Sequence, residues 1–321
     1  MHLIEKVLSR EEFSQKPPIL VDVGASGAIN SKWKKIAKFS ICIAFDADAR
    51  EFGYIVSESS TYKKLYTYNS LVAEEQSAAA DFYLTRSPYC SSLLEPDIEK
   101  LKYWSFSELF EIKEVVKLKT INLKTVLKDI EIDKIDWFKT DSQGTDLRLF
   151  KSLGEELTHK TLVAEFEPGI IDAYKGEDKL YSLMNYMQGQ PFWMSNIVIQ
   201  GSQRISQGTL KHCFNTFEKK HITALINTSP GWGEVTYFNS FSQKSLEKRD
   251  FLLGWVFSIV EGQYGFALEL LHKAEQKFDD PMFDELKTFT LNKIKLNYYK
   301  IVFYYSKKII NKVEKMLGHN S

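Results

Sequence analysis

The chain has 321 residues and is electrically neutral, with 42 Lys+Arg against 42 Asp+Glu. Zero net charge argues against a nucleic-acid binder, which needs surplus Lys and Arg to displace counterions from phosphates. A hydrophobic fraction of 44% suffices for a core and excludes a disordered chain, while three scattered cysteines exclude a disulfide scaffold and a local zinc knuckle. The first residues carry Glu5, Glu11 and Glu12, unlike a signal peptide. The longest strongly apolar run, 251–260, is ten residues, where a membrane span needs about 20. A cytoplasmic protein is expected.

In chain order, Ile19–Val23 is a short apolar run ending in glycines, and Ile41–Phe45 is another ending in acids. Lys64–Tyr68 is a weaker third, and residues 135–139 and 161–166 repeat the pattern. Continuous hydrophobicity predicts strands buried on both faces, as in a parallel sheet covered by helices. Residues 80–84 and 115–123 read as extra strands in an insert, followed by a helix over 125–129. The fold expected is α/β: an open, doubly wound, mostly parallel sheet that binds ligands beyond the carboxyl ends of its strands. From residue 210 the pattern changes to helical spacing, over 245–260, 263–278 and 282–296. The expected division is therefore 1–209 and 210–321. Gly262, Tyr264, Ala267 and Ala274 have the spacing of one tetratricopeptide-type hairpin, but stacked repeats need at least three.

Chemistry-bearing residues gather at the strand ends. Gly24 and Gly27 follow the first strand in a G-x-x-G turn, where backbone N–H groups can approach a ligand closely. This is not the dinucleotide fingerprint, which suggests a nucleoside bearing a carboxylate rather than a pyrophosphate. Asp46 and Asp48 end the second strand, about twenty residues on, where an acid accepts hydrogen bonds from ribose hydroxyls. Asp46 is the first position past the apolar run, and Asp48 stands where it could cap a helix. Asp141 sits just past the fourth run, with Lys139 expected on the same side. Glu165 and Glu167 end the fifth, either as acids of the site or as a helix entry before Pro168.

Val21–Gly27, Ala44–Asp48, Ser91–Pro96, Ile121–Leu123 and Ile135–Leu147, taken together, resemble the FkbM-type methyltransferase family. The motifs occur in that family's order over roughly residues 17–200. The resemblance implies a class I, Rossmann-like fold using S-adenosylmethionine, and O-methylation in the making of natural products or surface polysaccharides. It places Asp22, Gly24, Ala25, Ser26 and Gly27 around the methionine end of the cofactor and Asp46 at the ribose. Asp141 would stand beside the methyl-transfer site, with Glu165 as a second candidate base. Two positions depart from the family pattern: Asp46-Ala47 stands where Glu-Pro is common, and Gln143 stands where a Glu is common.

The expected function is thus methylation of a sugar hydroxyl in a glycan precursor, with no metal and no nucleic-acid partner. The alternative is a non-catalytic methyltransferase-like module in a glycan-assembly complex, favoured by Gln143 and the helical hairpin. Residues 293–317 contain seven lysines and one acid, Glu314, on a near-heptad apolar stripe. Packing within the chain, a homodimer seam, or peripheral contact with the inner face of an anionic membrane all fit such a helix.

Overall fold

The computed structural model describes residues 2–25, 29–50, 53, 60–301, 304–306 and 308. Strands β1 (Ile19–Val23), β2 (Ile41–Phe45) and β3 (Lys64–Tyr68) come first. An insert carries β4 (Leu71–Val72), β5 (Ala80–Thr85), β6 (Ile112–Leu118) and β7 (Thr120–Ile121). Then follow β8 (Trp137–Thr140), β9 (Val163–Phe166), β10 (Phe192–Ser202) and β11 (Ser229–Asn239).

Seven of these form one sheet in the order β10-β11-β9-β8-β1-β2-β3, while β4 pairs with β7 and β5 with β6 outside it. Every pairing from β9 to β3 is parallel, and β11 runs antiparallel to both neighbours. This is the expected doubly wound, mostly parallel, Rossmann-like sheet. All five residues of β1 are buried, as continuous hydrophobicity requires of a central strand covered on both faces. The chain builds β1, β2 and β3 outward, then returns to lay β8 and β9 on the other side of β1. Such a reversal opens a crevice at the carboxyl ends of β1 and β8.

One row of charge crosses the middle of the sheet. Asp22 of β1 lies in register with Lys139 of β8, which lies in register with Glu165 of β9. On one face the aromatic side chains of Phe138, Phe150 and Phe166 close the core, with ring centroids 5.2–6.2 Å apart. The helices Leu123–Asp129, Asp146–Ser152 and Leu180–Gln188 supply the apolar residues packed against them. A smaller cluster of Cys90, Leu101, Phe110, Ala173 and Tyr174 lies under the insert.

Two strands went unread in the sequence. β10 is an edge strand whose Ile197, Val198 and Ile199 are exposed, and β11 contains Pro230, Gly231 and Gly233 and alternates in burial before its last residues. Neither shows the continuous apolar run of a central strand. Because β11 inserts between β9 and β10, the compact α/β unit extends to Leu246 rather than ending at residue 209.

The second unit comprises residues 2–7 and those from Glu247 onward. Its helices Lys248–Val260, Tyr264–Lys277 and Met282–Lys295 fall close to the expected spans. Ala267 and Ala274 are fully buried, consistent with small residues that let helices approach, and Gly262 ends the first helix at φ +70°. Trp255 stacks edge-on against Phe289 and donates from Nε1 to Thr290 Oγ1 at 2.9 Å. Lys6 pairs with Glu285 at 2.5 Å, tying the first helix into this unit. Most of the lysine-rich stretch beyond residue 300 lies outside the described residues.

Candidate active site

The crevice is built by three strand ends. Gly24 leaves β1 at φ +78°, and its N–H and that of Ala25 both donate to Phe45 O at 3.0 Å. A Cβ at Gly24 would stand 2.0 Å from the Asp141 carbonyl oxygen, so any side chain would force β1 and β8 apart. Asp46 follows β2, its N–H bonded to Tyr68 O at 3.1 Å and its Oδ1 accepting from Asp48 N at 2.8 Å. Gly24, Asp46, Asp48 and Asp141 all line a cleft of about 600 Å³ that opens to solvent.

Asp48 does more than cap. Its carboxylate accepts from Arg50 N at 3.0 Å, from the Arg50 guanidinium, and from Ser91 Oγ at 3.1 Å. Arg50 also donates to Thr85 O at 3.0 Å, so this pair fastens the turn after β2 to the insert. Burial pushes the Asp48 carboxyl up, but the Arg50 hydrogen bonds and charge outweigh it and hold the group below the usual range. Ser91 also lines the cleft.

Asp141 stands where this cleft meets a second cavity of about 910 Å³. Its N–H donates to Val23 O at 2.9 Å, and its Oδ1 accepts from Gln143 Nε2 at 2.6 Å. Gln143 is held in turn: Oε1 accepts from the Tyr174 hydroxyl at 2.8 Å, and its carbonyl from Ser92 Oγ at 2.7 Å. These contacts stabilise a left-handed backbone at Gln143, φ +57°, which a non-glycine residue adopts at some cost. The side-chain amide suits its place, because it must accept from a phenol on one side and donate to a carboxylate on the other.

The charged groups here lie close enough to shift one another. Burial raises the Asp141 carboxyl, and the Lys139 charge and Gln143 hydrogen bond only partly offset it. Burial and then the Asp141 charge push Glu167 up to about 10, so it carries a proton at neutral pH. Asp146 is raised by burial to about 6, although Ser142 bonds to it through N and Oγ. Burial opposes the Lys139 ammonium, yet Asp22 and Asp141 outweigh that and keep it protonated.

Two predictions follow from this geometry. Gln143→Glu would set a carboxylate against Asp141, and two such groups must share a proton. The carboxyl titration of the site, followed by NMR, should give a profile moved up by about one unit or more. An unmoved profile would contradict the contact. For Glu167, the folded state keeps a proton that the unfolded chain releases near its ordinary pKa of about 4.3. Its contribution to stability is therefore complete below that pH and is lost as pH rises toward about 10. Glu167→Gln should melt near wild type at pH 4 and above it at pH 8; the same difference at both would rule out the titration.

Not every expected residue reaches the cleft. Asp22 is fully buried, accepting from Lys139 Nζ at 2.9 Å and from Asn30 N at 3.0 Å, contacts that brace the glycine turn. Ala25 is fully buried too, and Ser26 and Gly27 lie outside the described residues. Beyond the turn stands a 3-10 helix, Ser31–Lys35, capped by Asn30. Glu165, expected as a second base, accepts at its oxygens from Trp137 Nε1 at 2.7 Å, Lys32 Nζ at 3.0 Å and Asn30 Nδ2 at 3.3 Å and does not line the cleft or the cavity. β9 ends at Phe166, so Glu167 escapes the strand's alternation and turns into the cavity beside Asp141. Tyr174 and Arg50 went unnoticed in the sequence, since neither sits in a motif.

Among the described residues, no group of three or more His, Cys, Asp or Glu side chains is placed to hold a metal ion. None of their helices is long and apolar enough to cross a membrane. Neither a family model nor a curated protein sequence matches the chain. Among solved structures, geranyl diphosphate C-methyltransferase from Streptomyces coelicolor A3(2), in complex with Mg²⁺, geranyl diphosphate and S-adenosyl-L-homocysteine, is similar at 8% identity. The match covers 74% of this chain and 78% of that one with a TM-score of 0.33, too slight to carry chemistry between them.

Proposed function

We propose that the protein is an S-adenosylmethionine-dependent methyltransferase that methylates a hydroxyl, with a sugar hydroxyl of a glycan precursor as the acceptor suggested by the FkbM-type motifs. The observation that carries this reading is the convergence of Gly24, Asp46 and Asp141 on one cleft at the point where strand order reverses. A glycine-ended first strand, a carboxylate past the second and no dinucleotide fingerprint fit a nucleoside with an amino-acid tail. Gly24 would let the backbone approach that tail, and Asp46 would bond the ribose hydroxyls. S-adenosylmethionine, when bound, supplies a methyl group already activated by its sulfonium.

What remains for the chain is alignment and proton removal. Asp141, at the junction of cleft and cavity, can accept the acceptor's hydroxyl proton at a carboxylate oxygen, a role worth about 10²–10⁴-fold. Its raised pKa makes it a stronger base than an exposed carboxylate, while Gln143 and Tyr174 fix its orientation. Holding the acceptor in line contributes more, about 7–11 kcal/mol in favourable cases. In this reading Gln143 serves to orient the base through its hydrogen bond to Asp141, where the rival binding-module reading takes it as a lost carboxylate. Incubation with S-adenosylmethionine and neutral methyl glycosides should release S-adenosylhomocysteine and a methylated sugar. Binding of the cofactor without turnover on any hydroxyl acceptor would favour the module.

A further inference from the structure

The cavity beyond Asp141 has a particular chemistry. One wall is aromatic: Phe106 stacks on Trp232 with centroids 6.1 Å apart and planes 14° apart, and meets Phe110 edge-on at 5.1 Å. Tyr89, 58% exposed, lines both this cavity and the cleft. Its polar groups are acidic or neutral. Among the described residues that line it there is no Lys, Arg or His, while Asp141, Glu167 and Glu177 all do so. The ammonium groups that act on its acids have other partners: Lys179 holds Glu177 at 2.7 Å, Asp172 at 2.9 Å and the Ile171 carbonyl, and Lys139 holds Asp22 at 2.9 Å. Asp141, Asp146 and Glu234 together disfavour a charge on Glu167 more than the Lys139 ammonium favours one.

We propose that this cavity takes an uncharged acceptor presenting a flat apolar face to the Trp232–Phe106 wall, and that any phosphate or carboxylate on the acceptor lies outside it. The inference rests on the methyltransferase reading for the word acceptor, but the selectivity belongs to the cavity itself. An anion would lose its hydration against carboxylates with no cation to replace it. A neutral ring can stack on the indole, as sugars and aromatic alcohols do, and still bring a hydroxyl to Asp141. A phosphorylated glycan precursor therefore enters by its neutral sugar end.

Two fluorescent probes with one aromatic body separate the possibilities: 4-methylumbelliferyl β-glucoside, which is neutral, and 4-methylumbelliferyl phosphate, which is an anion. Each is titrated into the full chain with and without S-adenosylhomocysteine. The glucoside should bind at least ten-fold tighter than the phosphate, and Trp232→Ala should weaken it about ten-fold while leaving S-adenosylhomocysteine affinity unchanged. In a double variant Asp141→Asn, Glu167→Gln the gap between probes should narrow, a readout that stands even where Trp232→Ala does not fold. Equal or tighter binding of the phosphate, or no binding of either probe, overturns the proposal. Failure of the methyltransferase reading shows separately, as absence of S-adenosylhomocysteine binding.

Discussion

Asp141→Asn should lower the rate of methyl transfer by about 10²–10⁴-fold while changing S-adenosylhomocysteine affinity only a few-fold. The amide keeps the size of the side chain and can still meet the Gln143 amide through its oxygen, so the loop keeps its shape. What it cannot do is take a proton. The carboxylate sits where the two cavities meet, with Gln143 and Glu167 as its side-chain hydrogen-bond partners and the Lys139 ammonium nearby. A loss of this size in single-turnover rate, with binding intact, assigns the base. A variant that turns over at more than a third of the wild-type rate would move the base elsewhere, with Glu167 the next carboxyl in reach of the cavity.

Asp46→Ala should weaken S-adenosylmethionine binding by roughly ten-fold to over a hundred-fold, the effect of losing a charge-assisted hydrogen bond of about 1.5–3 kcal/mol. It also removes the acceptor for Asp48 N–H, so a stability loss of about 1 kcal/mol accompanies it. Asp48→Ala is the informative partner. That carboxylate is bound to Arg50 and Ser91 and ties the turn to the insert, so its loss should lower stability by about 1–3 kcal/mol, chiefly. Calorimetry and thermal melts on the two variants separate the roles. The opposite pattern would make Asp48 the ribose contact.

The sequence revealed the strands whose both faces are covered, because burial on two sides leaves a continuous apolar run. It therefore located the ends of β1, β2 and β8, and with them Gly24, Asp46 and Asp141. It hid β10 and β11, one half-exposed at the sheet edge and the other interrupted by Pro230 and two glycines. It gave no sign that strand pairing sets Lys139 opposite Asp22, a contact between residues 117 apart. Glu165 and Glu167 looked equivalent two residues apart, and only the end of β9 at Phe166 separates them. Tyr174 lies 31 residues from Gln143, and no local pattern announces that contact. The left-handed backbone at Gln143 is equally silent in the sequence, although Gly144 beside it marks the turn.

Titration calorimetry of the full chain with S-adenosylhomocysteine, and separately with NAD, tests the central claim most directly. Both ligands contain an adenosine ribose that Asp46 would bond, but NAD also needs a cradle for its pyrophosphate, and the turn after β1 lacks the glycine spacing for one. The account predicts saturable binding of S-adenosylhomocysteine, weakened at least ten-fold by Asp46→Ala, and no comparable binding of NAD. Tight binding of NAD with no response to S-adenosylhomocysteine would contradict it.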